Sequence, residues 1–317
     1  MKTKIIAITL AAILTTPLVG CGAQQEAPAA DGTTTIEAPA ATAEIEDVTT
    51  VAYLGPEGTY TEEATKAFFG NDDQLLPQAT VADALALVAN GTATYAVVPQ
   101  ENTLGGPVTD YIDALLATDG VAVVGEVVLP IRQTLMGLPG TDLSQVTRVL
   151  SHKQGLAQSA AWLDENLPDA QRIEAASTAA AALEVADGAD PTTVAIAAPG
   201  AADLYGLEVL QANVSQCEAN QTRFYVVARE ANELEGYGCA VYVADIAAGE
   251  LPGVLEEVCT GGTELACVHD RPEGSALGTY RYVIELERAD GFTDEELARL
   301  EGIGQLAYLG CYARVEV

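Results

Sequence analysis

Val51-Ala52-Tyr53-Leu54-Gly55-Pro56-Glu57-Gly58-Thr59-Tyr60-Thr61 is the stretch on which the reading of this chain turns. Its first four residues are a strand-like apolar run. Gly55, Pro56 and Gly58 break that run, and apolar positions spaced by 3.6 residues then continue over 61–69. Strand, turn and helix in this order open an α/β unit. Further strand-like runs lie at 96–98, 121–129, 146–150 and 194–197, and helical patterns at 81–89, 108–116, 156–167 and 178–186. The alternation predicts an α/β architecture with mostly parallel sheets. A long run near 125–136 and a later strand at 223–229 read as two crossings between lobes. The expected fold is a two-lobed, periplasmic-binding-protein-like unit over 51–230, with a small-molecule cleft between the lobes.

Past Glu230 the pattern changes. Residues 239–244 read as a strand, 252–258 as a helix, 264–268 and 279–287 as strands, 292–300 as a helix and 306–312 as a closing strand. Thr293 with Glu296 three residues on is a capping box. The order is βαββαβ, a ferredoxin-like module over 236–317.

The 317 residues include 14 Lys+Arg against 46 Asp+Glu, a net charge of −32, with 49% hydrophobic residues. That apolar share excludes general disorder, and the charge excludes a nucleic-acid binder resting on phosphate contacts. A small anionic substrate is compatible, because a local cation inside a cleft outweighs a distant, screened surface. Two histidines and the lack of any CxxC spacing argue against a metal or thioredoxin-type site.

Lys2 and Lys4 precede an uncharged apolar run over 5–18, and Leu18-Val19-Gly20-Cys21 follows. The run is short for a membrane span and reads as a signal peptide over 1–20. The residues before Cys21 resemble a lipobox, which makes Cys21 the lipidated first residue of an exported protein held at the outer face of the cell membrane. Residues 21–50 are rich in Ala, Pro, Thr and Glu and read as a disordered tether.

Four polar motifs stand in Ala/Val-rich surroundings. They are Gly55–Thr61, Pro99-Gln100-Glu101-Asn102-Thr103-Leu104-Gly105-Gly106, Ser151-His152-Lys153-Gln154 with Gln158, and Asn220-Gln221-Thr222-Arg223-Phe224. The first three follow strands and open helices, where backbone N–H groups favour an anion. Each alone also reads as a turn or a helix cap. Together, in this order, they resemble the prephenate dehydratase family, and the resemblance covers essentially all of 51–317. The C-terminal module resembles the ACT domain that senses phenylalanine in those enzymes.

The resemblance implies conversion of prephenate to phenylpyruvate, with loss of water and CO₂ and without metal or organic cofactor. Arg223 is then expected to grip a substrate carboxylate. Thr222 would donate toward the leaving hydroxyl, with a proton relay through Glu101. Asn102, Thr103, Ser151, Gln158, Ser177 and Thr178 would hydrogen-bond the substrate, with Gly58, Thr59 and Phe224 also at the site. Lys153, where the family has Pro, reads as a solvated surface charge, and His152 as a residue orienting a cleft loop. In the ACT module, Gly253, Val254, Leu255, Arg271 and Pro272 stand at effector positions. His269 and Asp270 depart from the family's Glu-Ser, so the module reads equally as a sensor or as a dimer interface. A homodimer or tetramer is expected from the family.

The βαββαβ topology sets the first and last strands side by side, which predicts disulfides Cys239–Cys311 and Cys259–Cys267; buried free thiols are the other reading. Two alternatives to the lead function stay open on the sequence. One is arogenate dehydratase, and the other a non-catalytic lipoprotein that binds aromatic metabolites.

Overall fold

The computed structural model describes residues 49–71, 73–215, 217, 219–232, 236–303 and 305–317. The signal-like segment, Cys21 and the tether as far as residue 48 lie outside the described residues. Among the described residues, no helix is long and apolar enough to cross a membrane.

Val51, Ala52 and Tyr53 are completely buried, which is what an apolar run without alternation requires, and they centre β1 (Thr50–Leu54). The first lobe continues with α1 (Tyr60–Phe69), β2 (Gln74–Gln78), α2 (Val81–Ala89), β3 (Tyr95–Asn102), β4 (Gly106–Pro107), α3 (Thr109–Ala117) and β5 (Ala122–Pro130). The chain then enters the second lobe. This holds β6 (Thr134–Gly137), β7 (Arg148–Ser151), α4 (Lys153–Gln158), α5 (Ala160–Asn166), β8 (Gln171–Glu174), α6 (Thr178–Gly188), β9 (Thr193–Ala197), α7 (Gly200–Tyr205) and β10 (Glu208–Gln211). The strand β11 (Gln221–Ala228) returns to the first lobe. Last come β12 (Cys239–Ala247), α8 (Leu251–Val258), β13 (Glu264–Pro272), β14 (Thr279–Glu287), α9 (Asp294–Glu301), β15 (Leu306–Tyr312) and β16 (Arg314–Glu316).

The first sheet runs β16-β5-β11-β3-β1-β2 with β4 beside β3, the second β10-β6-β9-β7-β8. Each lobe has a parallel centre, β2-β1-β3 and β8-β7-β9. The crossing strands β11 and β6 pair antiparallel, so the sheets are mixed rather than uniformly parallel. The helix expected over 156–167 is two helices that meet at Ser159.

The period-two alternation of β11 decides which side of the first sheet each residue serves. Phe224 and Val226 pack with Val51, Tyr53, Val97 and Ala64 of α1. Tyr225 and Val227 pack the other way, with Val123, Tyr111, Leu85 and Val88 and with Cys239, Val241, Val283 and Tyr312 of the C-terminal domain. That domain's sheet is antiparallel, ordered β13-β14-β12-β15, the ferredoxin-like arrangement. One of its faces carries α8 and α9 over Ala240, Tyr242, Ile284 and Leu286; the other lies on the first lobe. The docking is close, since a Cβ at Gly310 would fall onto the Val123 carbonyl. After β15 the chain adds β16 to the edge of the first sheet, parallel to β5. The capping box of α9 is present, with Thr293 N donating to Glu296 Oε2 at 2.9 Å and Glu296 N to Thr293 Oγ1 at 3.3 Å.

The expected disulfides do not form, because all five described cysteines are free. The register pairs Cys239 with Tyr312, and Ala240 with Cys311. Offset by one residue, the two thiols point to opposite faces of the sheet: Cys239 joins the core under the first lobe, Cys311 the core under α8 and α9. Cys259 is exposed after α8, and Cys267 sits on β13 facing His269.

Candidate active site

A cleft of about 600 Å³ is lined by residues of both lobes. Thr222 and Phe224 of β11 and Pro99 and Asn102 of β3 face it from the first lobe, and Gln158, Ser177 and Thr178 from the second. Four helices begin at its wall. Thr59 caps α1 by accepting from Glu62 N, His152 caps α4 by accepting from Gln154 N, and Ser177 caps α6 by accepting from Ala180 N at 2.9 Å. Val108 precedes α3 without a side-chain cap. The positive ends of four helix dipoles thus meet in one cleft. Among the described residues, no Lys or Arg lines it.

A chain of neutral groups crosses the cleft floor. Asn102 Nδ2 donates to Thr222 Oγ1 (2.9 Å) and to Asn220 Oδ1 (2.9 Å), while its Oδ1 accepts from Gly105 N (2.9 Å). Asn220 Nδ2 and Gln133 Nε2 both donate to Gln158 Oε1, at 3.0 and 2.8 Å. Tyr60 OH donates to Arg132 O at 3.0 Å. Thr222 Oγ1 accepts from Asn102 and has no acceptor of its own among the described residues, so its proton is available to a ligand in the cleft, and the accepted bond polarises that O–H. Desolvation holds the Tyr60 phenol well above its ordinary value, so it stays protonated. Burial pushes the Glu63 carboxyl above its usual range, although Gly200 N donates to it at 3.0 Å across the lobes.

Arg223 and Glu101 do not share this cleft. Strand alternation turns Arg223 to the opposite face of β11, toward the C-terminal domain. There its guanidinium forks onto Glu126 at 3.0 and 2.9 Å, reaches Glu101 at 3.3 Å and pairs with Glu285 of β14. Burial opposes that charge, but Glu126 and Glu285 outweigh it and raise the guanidinium above its ordinary value. The Glu285 carboxyl likewise resists burial and lies below its usual range, held by His269 and Arg223. Burial disfavours a charged His269 ring, yet Cys267 and Glu285 push it up to about 10. Arg314 bonds Glu126 and Glu287, both at 2.6 Å. A lone guanidinium gripping substrate, and a relay through Glu101, are therefore both overturned: these side chains form the seam between catalytic unit and C-terminal domain.

Three more expected contacts are redirected. Thr103 clasps β11 through Gln221 O (3.1 Å) and Gln221 N (3.2 Å) and faces the seam cavity. Ser151 is completely buried and donates to Ile196 O at 2.6 Å. Gly58 serves the turn, at φ +80, with Leu204 and Tyr205 packed where a Cβ would stand. Thr59, Asn102, Gln158, Ser177, Thr178, Thr222 and Phe224 do line the cleft, and Lys153 is exposed outside it. Tyr60, Gln133, His152 and Gln154 also line it, as does one carboxylate, Asp110 in the first turn of α3. Tyr60 belongs to the Gly55–Thr61 motif and is legible there; nothing near Gln133 marks it.

The positions expected to bind an effector are not brought together. Arg271 and Pro272 line a small cavity of about 180 Å³ with Asp113, and Arg271 forks onto Asp113 at 2.5 and 2.8 Å. Gly253, Val254 and Leu255 lie on α8, away from that cavity.

A sequence model of the family described as prephenate dehydratase matches residues 51–232. The prephenate dehydratase of Corynebacterium glutamicum is 36% identical over 249 residues, covering 75% of this chain and 78% of that protein. The prephenate dehydratase of Arthrobacter aurescens, solved in complex with L-Phe, superposes with a TM-score of 0.76 at 32% identity, over 84% of this chain and 90% of that one. GqqA, described as a novel type of quorum quenching acylase, superposes with a TM-score of 0.73 at 27% identity, over 84% of this chain and 98% of that one.

Proposed function

This chain belongs to the prephenate dehydratase family, and from that membership we propose that it converts prephenate to phenylpyruvate in the interlobe cleft, with Thr222 as the hydrogen-bond donor to the departing hydroxyl. The observation that carries this is the 2.9 Å bond from Asn102 to Thr222 Oγ1, which leaves the threonine proton free on the cleft floor.

The reaction turns a dianion into a monoanion, CO₂ and hydroxide, and the hydroxide must take up one proton to leave as water. Electrons from the carboxylate that becomes CO₂ flow into the ring and expel the oxygen at its far side. Thr222 stabilises the charge that gathers on that oxygen; the one proton consumed per turnover is drawn from the acid of the bulk solvent (hydronium or buffer), and the oxygen leaves as water. The substrate carboxylates are held without a guanidinium, by the four helix N-termini and the remaining amide N–H groups of Gln133 and Gln158. Such neutral, fixed donors match developing charge without the cost of reorganising solvent.

We read the βαββαβ domain as an ACT domain, and the module as paired with a second copy. The relative solved in complex with L-Phe supports phenylalanine as the effector, and of the effector positions only Arg271 and Pro272 share a cavity within one chain. The Arg271–Asp113 fork would have to open for Arg271 to serve it. The test is direct. Purified protein should form phenylpyruvate from prephenate, and added L-phenylalanine should slow it. Absence of phenylpyruvate, or preferential formation of phenylalanine from arogenate, would overturn the reading.

We also infer export and lipid anchoring through Cys21, supported by the charged start, apolar run and lipobox-like Leu18–Cys21. Cys21→Ser should release the protein from the membrane fraction. Membrane association unchanged in that variant would defeat the anchor.

A further inference from the structure

The seam between the two domains carries a set of ligands that the dehydratase chemistry does not use. Cys267 and His269 lie two apart on β13 and share the face turned to the first lobe, with Cys267 Sγ 3.3 Å from His269 Nε2. Glu101 arrives from β3, and one donor atom from each of the three residues lies within 4.8 Å of the others. We propose that Cys267, His269 and Glu101 bind one divalent transition-metal ion of the zinc class, bridging the catalytic unit and the C-terminal domain.

Geometry and charge point the same way. A tetrahedral zinc with Zn–S of about 2.3 Å and Zn–N of about 2.0 Å sets sulfur and nitrogen about 3.5 Å apart, near the separation found here. Around the three ligands, two guanidiniums (Arg223, Arg314) and the His269 ring, held protonated against burial by Cys267 and Glu285, face four carboxylates (Glu101, Glu126, Glu285, Glu287). An ion that displaces the His269 proton leaves two carboxylates uncompensated, with Glu126 and Glu285 buried, and a divalent cation replaces the charge that is lost. Completely buried Gln100 sets its Nε2 3.0 Å from His269 Nε2 and donates to Glu285, which fixes that amide beside the imidazole. Thiolate with imidazole selects zinc-class ions over calcium or magnesium. A solvent-open cavity of about 640 Å³, lined by Glu101, Leu265 and Ala266, gives the ion a way in. Binding displaces the thiol proton of Cys267 and leaves His269 neutral. The site lies on the far side of β3 and β11 from Thr222, so it goes beyond the reaction proposed above and does not depend on it.

The test is a titration of the chelator-stripped full chain with Co²⁺ and then Zn²⁺. The expected result is one ion per chain, a sulfur-to-cobalt charge-transfer band that zinc abolishes, and a rise in melting temperature with zinc. Cys267→Ser should lose the band. His269→Gln and Glu101→Gln should weaken affinity by at least the about 10–100-fold that even an outer-sphere partner costs. A wild-type chain showing neither band nor thermal shift overturns the proposal, with no variant required. A band that persists in Cys267→Ser overturns it too, by assigning the metal to another cysteine.

Discussion

The two faces of β11 divide the work of the molecule. On one face Thr222 meets only neutral partners, Asn102 and through it Asn220 and Gln158. On the other, one residue along, Arg223 meets three carboxylates. Reaction and assembly thus share one strand but use different chemistry. Fixed dipoles that stabilise charge without a permanent counter-ion suit a cleft proposed to receive a dianion and release CO₂. The seam joins two sheets for the life of the protein, where buried, hydrogen-bonded charges set a unique docking. A guanidinium that adjoins site residues in the sequence is therefore no proof of a substrate contact.

A pair of variants tests this division most strongly. Arg223→Ala takes the shared guanidinium from buried Glu126 and Glu285 and leaves them only Arg314 and His269, so the loss should approach the about 3–5 kcal/mol typical of removing one partner of a buried ion pair. Denaturant unfolding should show that loss, and kcat measured on the remaining folded protein should fall much less. Thr222→Ala should do the reverse. Turnover of prephenate should drop about 10²–10³-fold, as for removal of an oxyanion-hole donor, with an unchanged unfolding midpoint. If Arg223→Ala lost turnover but kept stability, the guanidinium would belong to the reaction after all.

What is legible in the sequence follows from local periodicity. The run 51–54, the turn at Gly58 and the helix that follows need only spacing and a Thr cap, as does the C-terminal βαββαβ order with its box at Thr293 and Glu296. Thr59, Ser177 and Thr178 lie at helix starts, which spacing marks, but that they belong to the cleft is what the family resemblance implies. The failures at Glu101, Arg223 and Thr103 come from taking motif neighbours as site neighbours. On a strand adjacent residues point apart, so Thr222-Arg223-Phe224 cannot all enter one cleft. With Thr222 in the cleft, that alternation alone turns Arg223 away from it. The Cys239–Cys311 pairing fails by one residue of register, which a turn or bulge sets and periodicity does not; here a shift falls between Val241 and Tyr242. The short strands β2, β8 and β10 carry too few apolar residues to stand out, and β16 forms only because β5 offers an open edge.

Thr103 offers the finest test, because it sits beside Asn102 in the motif and on the other side of the structural divide. Its hydroxyl closes two bonds to the backbone of Gln221, immediately before Thr222, and borders the seam cavity instead of the cleft. Thr103→Val keeps the shape and removes both bonds. One net intramolecular hydrogen bond is worth about 0.5–1.5 kcal/mol, so a modest loss of stability is expected. Because β11 stays anchored by its ladders to β3 and β5, Thr222 should keep its place, and kcat for prephenate should stay within about fivefold of wild type, the rate equivalent of roughly 1 kcal/mol. A fall approaching that of Thr222→Ala would mean that the hydroxyl reaches substrate, and that the line between the reacting and the assembling face runs one residue away from where it is drawn.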